Sequence, residues 1–536
     1  MSLIARLDRV LQSLPQTYAG PGGAVAVLKD GKAIVRHAWG WANAERRLPF
    51  TPRSLFRICS ITKQFTCGLV LDTFPDPSLL DADVKARLPH LKDMAPTTLH
   101  LCHNQSGLQD YWAVAMLHGA LAETPFGNRE AARLIGATRA LQFVPGTRYS
   151  YANQNFRILS DILEARSGRS YAELVRAGIF APAGMSTAFI AADTRAMPDG
   201  SEGYEGTVSS GFRPAVNGMF WGGGDASIGA SLDDMIAYEA WIDATRDNAG
   251  GLYRRLSAPV TFSDGALAAY GFGLARETIF GRAVTRHGGA LRGWRSQRLH
   301  IASERLSVVV LFNHNASPGD AAEELVAAAL GIDNPKSTGD LPAPDWLGTY
   351  VEPETGLAVR LGKSGPKTLL MRYGTGPDEL TLQADGSAVQ ADSGVRLRPG
   401  KDGPGKDGPG KDGPGNDGLW LERPQDNQTS RLIPSDGIAT SDIAGAYRCA
   451  DLGADLSIVD AGGAFYGACS GVLGDGRMEL LEPIGKDLWV MPCPRGVDHF
   501  PPGDWTLAFM RDGANRITGI QLGCWLARRF DYTRMA

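Results

Sequence analysis

No run of about 18 apolar residues occurs anywhere along the chain, so no segment can cross a bilayer as a helix. The first sixteen residues contain no uninterrupted apolar stretch of the secretory kind, because Arg6, Asp8 and Arg9 break it. Cysteine is sparse: Cys59, Cys67, Cys102, Cys449, Cys469, Cys493 and Cys524 are odd in number, scattered, and form no C-x-x-C pair. That argues against a disulfide scaffold and for a reduced, cytoplasmic protein with buried thiols. There is no basic excess either. The 54 Lys and Arg residues face 58 Asp and Glu, a net charge of −4, which excludes nucleic acid or an anionic membrane surface as an evident partner. His100 and His103 lack nearby acids or cysteines at ligand spacing, so neither a metal nor another cofactor is expected. Gly222-Gly223-Gly224 has no P-loop lysine and reads as close backbone packing.

With 536 residues, 43% of them hydrophobic, the chain has enough apolar material for two to four domains. Leu3, Leu7, Val10 and Leu14 suggest an amphipathic first helix. Ala24 to Trp41 reads as a hairpin about the Asp30-Gly31 turn. Glu130–Leu141, Asn155–Ser167, a Ser231-capped segment towards Ala244, and Asp320–Leu330 read as helices. Ser296–Ile301 and Leu306–Phe312 alternate as strands. Strands at both ends of a segment with helices between them suggest an α/β domain whose sheet joins its two ends. Past Ile332 the texture changes to short alternating runs separated by Gly, Asp and Pro, the pattern of small β-domains. Leu347-Gly348-Thr349-Tyr350 is echoed by Ala444-Gly445-Ala446-Tyr447, which suggests two such units. The expected division is a first domain over 1–333, a linker over 334–344, and two small β-sandwiches or barrels over 345–438 and 439–536. The triplicated Lys-Asp-Gly-Pro-Gly within 400–418 reads as an extension at a hairpin tip.

The chemistry concentrates at Ser60-Ile61-Thr62-Lys63. Ile61, Phe65 and Leu69 recur every fourth residue, so the segment reads as helical and places Ser60 and Lys63 on one face. A helix N-terminus favours negative charge developing on the serine, and an amine one turn away can take its proton. This is the S-x-x-K pattern of serine acyl-transfer enzymes. Cys59 is the rival nucleophile, but no His/Asn pair in a protease-like context accompanies it, and the register selects Ser60.

Tyr151-Ala152-Asn153 and then His287-Gly288-Gly289 follow Lys63 in the chain. The order S-x-x-K, Y-x-N, and a basic residue with glycine resembles the penicillin-recognising serine hydrolases, the superfamily of serine β-lactamases and DD-peptidases. The resemblance implies the serine β-lactamase/penicillin-binding-protein fold: an α/β catalytic domain with an antiparallel sheet flanked by helices, plus an all-helical lobe. Two small antiparallel β-barrel domains follow it. It further implies Tyr151 as a second proton carrier and Asn153 as a partner of lysine and substrate amide. The Ser60 and Gly289 N–H groups would form the oxyanion hole. Where most members have Lys-Thr-Gly, this chain has His287-Gly288-Gly289, and a largely neutral imidazole is a poor anchor for a substrate carboxylate.

Longer stretches narrow the resemblance to its D-aminopeptidase branch, among them Asn104-Gln105-Ser106-Gly107-Leu108, Arg286 to Trp294, and Gly523 to Arg528. In that branch a loop of the last domain reaches the active site and an aspartate on it holds the substrate ammonium. The matching loop is 494–503 and the matching residue Asp498, although its flanks His499 and Phe500 depart from the usual sequence. The implied activity is D-stereospecific aminopeptidase action on peptides, amides and esters that begin with D-Ala, another small D-residue or Gly. It would proceed through a serine acyl-enzyme, in a homodimer open to inhibition by β-lactams. The alternatives are an esterase or D-amino-acid amidase of the same superfamily, and a catalytically silent penicillin-binding sensor.

Overall fold

The computed structural model describes residues 2–215, 218–220, 223–332, 341–390, 393–400, 418–493 and 503–536. Its N-terminal part is organised by an eight-stranded antiparallel sheet that closes the chain on itself. In order across the sheet run Tyr270–Gly271, Leu274–Ile279, Arg282–Leu291, Trp294–Ile301, Leu306–Phe312, Gly22–Lys29, Lys32–Asn43 and Leu48–Pro49. The first hairpin forms as its turn requires: Asp30 and Gly31 both take positive φ, 54° and 74°, the geometry of a type I′ connection.

Period-two alternation divides the central strands between two cores. Val25, Val27, Val308 and Val310 face the first helix, Leu3–Thr17, through Leu7 and Leu14, and the last helix, Pro318–Leu330, through Leu325 and Val326. Ala24, Ala26, Val309 and Leu311 face the other way, towards the helical lobe and the helix Thr62–Thr73. That helix lies between sheet and lobe, so Thr62 to Val70 are all buried, polar Thr62, Lys63, Gln64 and Thr66 along with the expected apolar stripe.

The expected helices are present with adjusted ends: Asn153–Ser167, and Leu232–Ala244 capped by the Ser231 hydroxyl. The segment expected to be helical over 130–141 is helical only as Asn128–Gly136. Beyond it the Gln142 N–H donates to the Gly107 carbonyl (2.7 Å) and its side-chain amide to the Leu108 carbonyl (2.9 Å), tertiary bonds that replace a further helical turn. Gly224 packs as expected: a Cβ there would lie 2.5 Å from Thr66 Oγ1.

The C-terminal part holds a closed barrel of eight antiparallel strands from Gly348–Glu352 to Gln428–Pro434, then a ten-stranded antiparallel sheet from Gly445–Cys449 to Ala527–Arg534, a half-barrel among the described residues. The weak sequence repeat marks equivalent corners. The Tyr350 hydroxyl donates to the Trp346 carbonyl (2.6 Å) and the Tyr447 hydroxyl to the Ile443 carbonyl (2.7 Å), each on the strand that meets the last strand of its own unit. Pro399 pairs with Leu419, so the glycine-proline insertion leaves from a hairpin end; residues 401–417 themselves lie outside the described residues.

Candidate active site

Ser60 sits in a single 3-10 turn, Cys59–Ile61, that runs directly into the helix Thr62–Thr73. Cys59 enters this turn with φ 55°, an uncommon conformation for a residue with a Cβ. Its thiol is buried and donates to the Arg57 carbonyl at 3.0 Å. One turn on, Lys63 is fully buried, and its Nζ donates to Ser60 Oγ (3.0 Å), Asn153 Oδ1 (2.8 Å) and the Asp225 carbonyl (2.7 Å). Burial pulls the lysine down to about 8, against the opposing pull of the Asp225 and Asp110 carboxylates. Both protonation states are therefore accessible near neutrality, and the neutral form has a lone pair for the Ser60 proton.

Tyr151 stands at the start of the helix Asn153–Ser167. The ammonium of Lys63 lies 4.9 Å from its ring centroid, and its hydroxyl is hydrogen-bonded with Ser60. Burial holds this phenol well above its ordinary value, with the Ser60 bond acting in the opposite direction, so it rests protonated. The segment around it is held from several sides. The Ser150 N–H donates to the Asn104 carbonyl (3.0 Å), the Ala152 N–H to Asn104 Oδ1 (3.3 Å), and the Tyr149 N–H to the Asp426 carbonyl of the barrel (3.3 Å).

Asp110 was not legible as a site residue. It caps the short helix Tyr111–Leu117 and accepts both the backbone N–H (2.7 Å) and the side-chain amide (2.8 Å) of Asn153. With its NH₂ so engaged, Asn153 must turn its oxygen to Lys63. The signal available was a capping aspartate two residues beyond Asn104-Gln105-Ser106-Gly107-Leu108. Asp225 also escaped notice; it contributes a backbone carbonyl, which side-chain chemistry cannot reveal, while its carboxylate accepts the Tyr111 hydroxyl at 2.6 Å.

His287 lies on the strand Arg282–Leu291, its ring 6.3 Å from that of Tyr151. Nδ1 is 2.5 Å from the Gly288 carbonyl, which can only accept, so Nδ1 carries the proton and Nε2 accepts from the Tyr270 hydroxyl at 3.0 Å. Burial, then the nearby Lys63, drives the imidazole down to about 3, and it is neutral at every physiological pH. Tyr270 has no motif around it, and sequence reasoning missed it. Two residues on from His287, Gly289 passes so close to the Ser60 turn that a Cβ would lie 2.2 Å from Ser296 Oγ and 2.4 Å from the Ile58 carbonyl.

Asp498 lies outside the described residues, as does the span 494–502. The strands on either side of it, Leu488–Met491 and Trp505–Arg511, pair with each other, and Cys493 and Trp505 line a cavity of about 220 Å³ together with Met116 and residues 120–123 of the helical lobe. Among the described residues no group of three or more His, Cys, Asp or Glu side chains could hold a metal, and no helix is long and apolar enough to span a membrane.

Residues 7–332 match the beta-lactamase family model and residues 340–533 the model for D-aminopeptidase, domain B. The chain is 56% identical to a D-aminopeptidase of Gluconobacter oxydans, across 100% of this chain and 99% of the relative. It is 48% identical to one of Cereibacter sphaeroides, across 99% of both. In fold it resembles the octameric penicillin-binding protein homologue from Pyrococcus abyssi, with a TM-score of 0.51 at 19% identity over 80% of this chain and 99% of that one.

Proposed function

The chain belongs to the D-aminopeptidase family, and on that premise we propose that it hydrolyses peptides, amides and esters that begin with D-alanine, another small D-residue or glycine. The observation that carries this reading is the buried Lys63 bonded to Ser60, in a chain similar to D-aminopeptidases over its whole length. Neutral Lys63 takes the Ser60 proton as Oγ attacks the carbonyl. The Ser60 and Gly289 N–H groups hold the oxyanion. Tyr151, a resting phenol, protonates the departing nitrogen and recovers its proton from Lys63. The Ser60 ester is then hydrolysed, and water returns the serine proton.

His287 is assigned to the substrate-facing strand as a neutral group. With no cation in this box, a substrate carboxylate has no counter-ion there. Asp498 is proposed to receive the free α-ammonium, supported by the position of its loop's root beside the lobe that bears Asp110 and Asn153. A carboxylate there selects amines and repels penicillin-like acids, so acylation of Ser60 by β-lactams is expected to be slow. The division into 1–333, 345–438 and 439–536, a homodimer, and a cytoplasmic setting suited to seven buried free thiols belong to the same proposal.

The deciding assay measures p-nitroaniline release from D-alanine, L-alanine and N-acetyl-D-alanine p-nitroanilides, with Ser60→Ala as control. Release from the free D compound alone, abolished in the variant, supports the proposal. Cleavage indifferent to the amine moves the function to an esterase or amidase. Stoichiometric penicillin binding without turnover of any amide makes the protein a sensor. Asp498→Ala should raise KM for amine-bearing substrates far more than for N-acylated ones; equal effects would remove the ammonium role.

A further inference from the structure

A cleft of about 470 Å³ opens beside Tyr151 and His287; Ser60, Lys63 and Asn153 do not line it. The acyl portion of the substrate must sit over Ser60. Tyr151 passes a proton to the departing nitrogen, so the space beyond Tyr151 receives what departs. This orientation rests on the proposed aminopeptidase reaction.

The lining has a consistent chemistry. Tyr149, Tyr151 and Tyr270 form an aromatic wall, with ring centroids 5.5 Å apart for Tyr149 and Tyr270 and 6.5 Å for Tyr151 and Tyr270. Glu277 on the strand Leu274–Ile279, and Asp320 and Glu323 on the first turns of the last helix, supply three carboxylates. Arg286 is the cation among the described lining residues, and it already bridges Glu277 (2.6 Å) and Glu323 (2.9 Å). His287 brings no positive charge. Aromatic faces together with surplus carboxylate form an environment for a cation and a poor one for an anion.

We infer that this cleft is the leaving-group subsite, and that Asp320, Glu323 and the tyrosine wall select a cationic second residue, or a blocked C-terminus, over an acidic or free-carboxylate leaving portion. A dipeptide with a free α-carboxylate would push that charge towards three carboxylates offset by one arginine, whereas a lysyl or arginyl side chain would be drawn in. The preferred substrates are then D-residues linked to basic residues, amines or amides.

The test compares kcat/KM of the full-length enzyme on D-alanyl-lysinamide, D-alanyl-glutaminamide and the 1-amide of D-alanyl-glutamate, at low and high salt, beside D-alanine p-nitroanilide. The expected order is lysyl, glutaminyl, glutamyl, with about tenfold or more between the ends at low salt and compression by added salt. Asp320→Asn and, separately, Glu323→Gln should narrow the lysyl-to-glutamyl ratio. A ratio is read within one enzyme preparation, so partial loss of folded protein in either variant leaves it meaningful. Equal rates for the lysyl and glutamyl peptides with the anilide still cleaved would overturn the subsite and leave the aminopeptidase reading intact. A preference untouched by both substitutions would likewise overturn it. No cleavage of the anilide or of any peptide would overturn both.

Discussion

The backbone N–H of Asp110 donates to the carbonyl of Leu526 at 2.7 Å, joining the last domain to the residue that orients Asn153. Trp525, next in the chain, lies between two guanidinium groups, 3.8 Å from Arg528 of its own domain and 4.3 Å from Arg423 of the barrel. The C-terminal part therefore helps to hold the lobe that carries Asp110 and Asn153. Trp525→Ala should cost about 3 kcal/mol of stability and lower kcat, because the Leu526 carbonyl loses its register. Thermal unfolding with parallel kinetics checks both; a stable variant with unchanged kcat would show the bond to be incidental.

Asp110→Asn separates orientation from charge. The substitution keeps the size of the side chain but removes a carboxylate that raises the lysine, so the acid limb of the rate profile should move to lower pH. Weaker alignment of Asn153 should reduce kcat about 10- to 100-fold with little change in KM. An unmoved limb would place Asp110 outside the electrostatics of Lys63.

Lys63 also sets a pH signature in stability. Its folded value, about 8, lies below the ordinary 10.5, so the unfolded chain binds more protons between these values. Stability relative to Lys63→Met should thus rise with pH across that window, by up to about 3 kcal/mol, and stay flat below it. In the wild type kcat/KM should climb through pH 8 as the amine deprotonates. Denaturant titrations of both proteins from pH 7 to 10.5 and a pH–rate profile test this.

His287 predicts the opposite region. It titrates near 3 in the fold against an ordinary 6.5, so the unfolded chain binds the extra proton between pH 3 and 6.5. His287→Gln should therefore lose less stability than the wild type as pH falls from 6.5 towards 4. The rate limb near pH 8 should survive in that variant with a lower plateau. Its disappearance would transfer the limb from Lys63 to His287.

Gly289→Ala should cost about 1–3 kcal/mol and at least about 100-fold in kcat, since a Cβ would meet the Ile58 carbonyl and Ser296 Oγ and push the strand off the nucleophile turn. Near-normal turnover would mean that the turn can yield.

Sequence reading found the parts of this molecule that depend on local pattern. The Asp30-Gly31 hairpin, the Ser231 cap, the alternating central strands and the repeated tyrosine corners are all set by residues close in the chain. Ser60, Lys63, Asn153 and Tyr151 stood out as candidates because their spacing repeats a family pattern, and the fold brings them together. Asp110, Tyr270 and the Asp225 carbonyl became visible only when distant segments met. A buried aspartate holding an asparagine amide, or a tyrosine paired with an imidazole across the sheet, has no period. The early end of the helix at Gly136 has the same origin, in bonds to Gly107 and Leu108.

The central sheet sets an order of events in synthesis. Gly22–Lys29 must wait for Leu306–Phe312, with almost the whole catalytic domain emerging between them. Until that late strand arrives, the first hairpin presents an unpaired edge rich in valine and alanine. The helical lobe can gather while the edge waits, and the Ser60 turn can already bond to Ile228 and to Ser296, but the sheet behind it is still open. A nascent chain interrupted before Leu306 therefore has no closed sheet, so the central sheet is expected to complete late in synthesis.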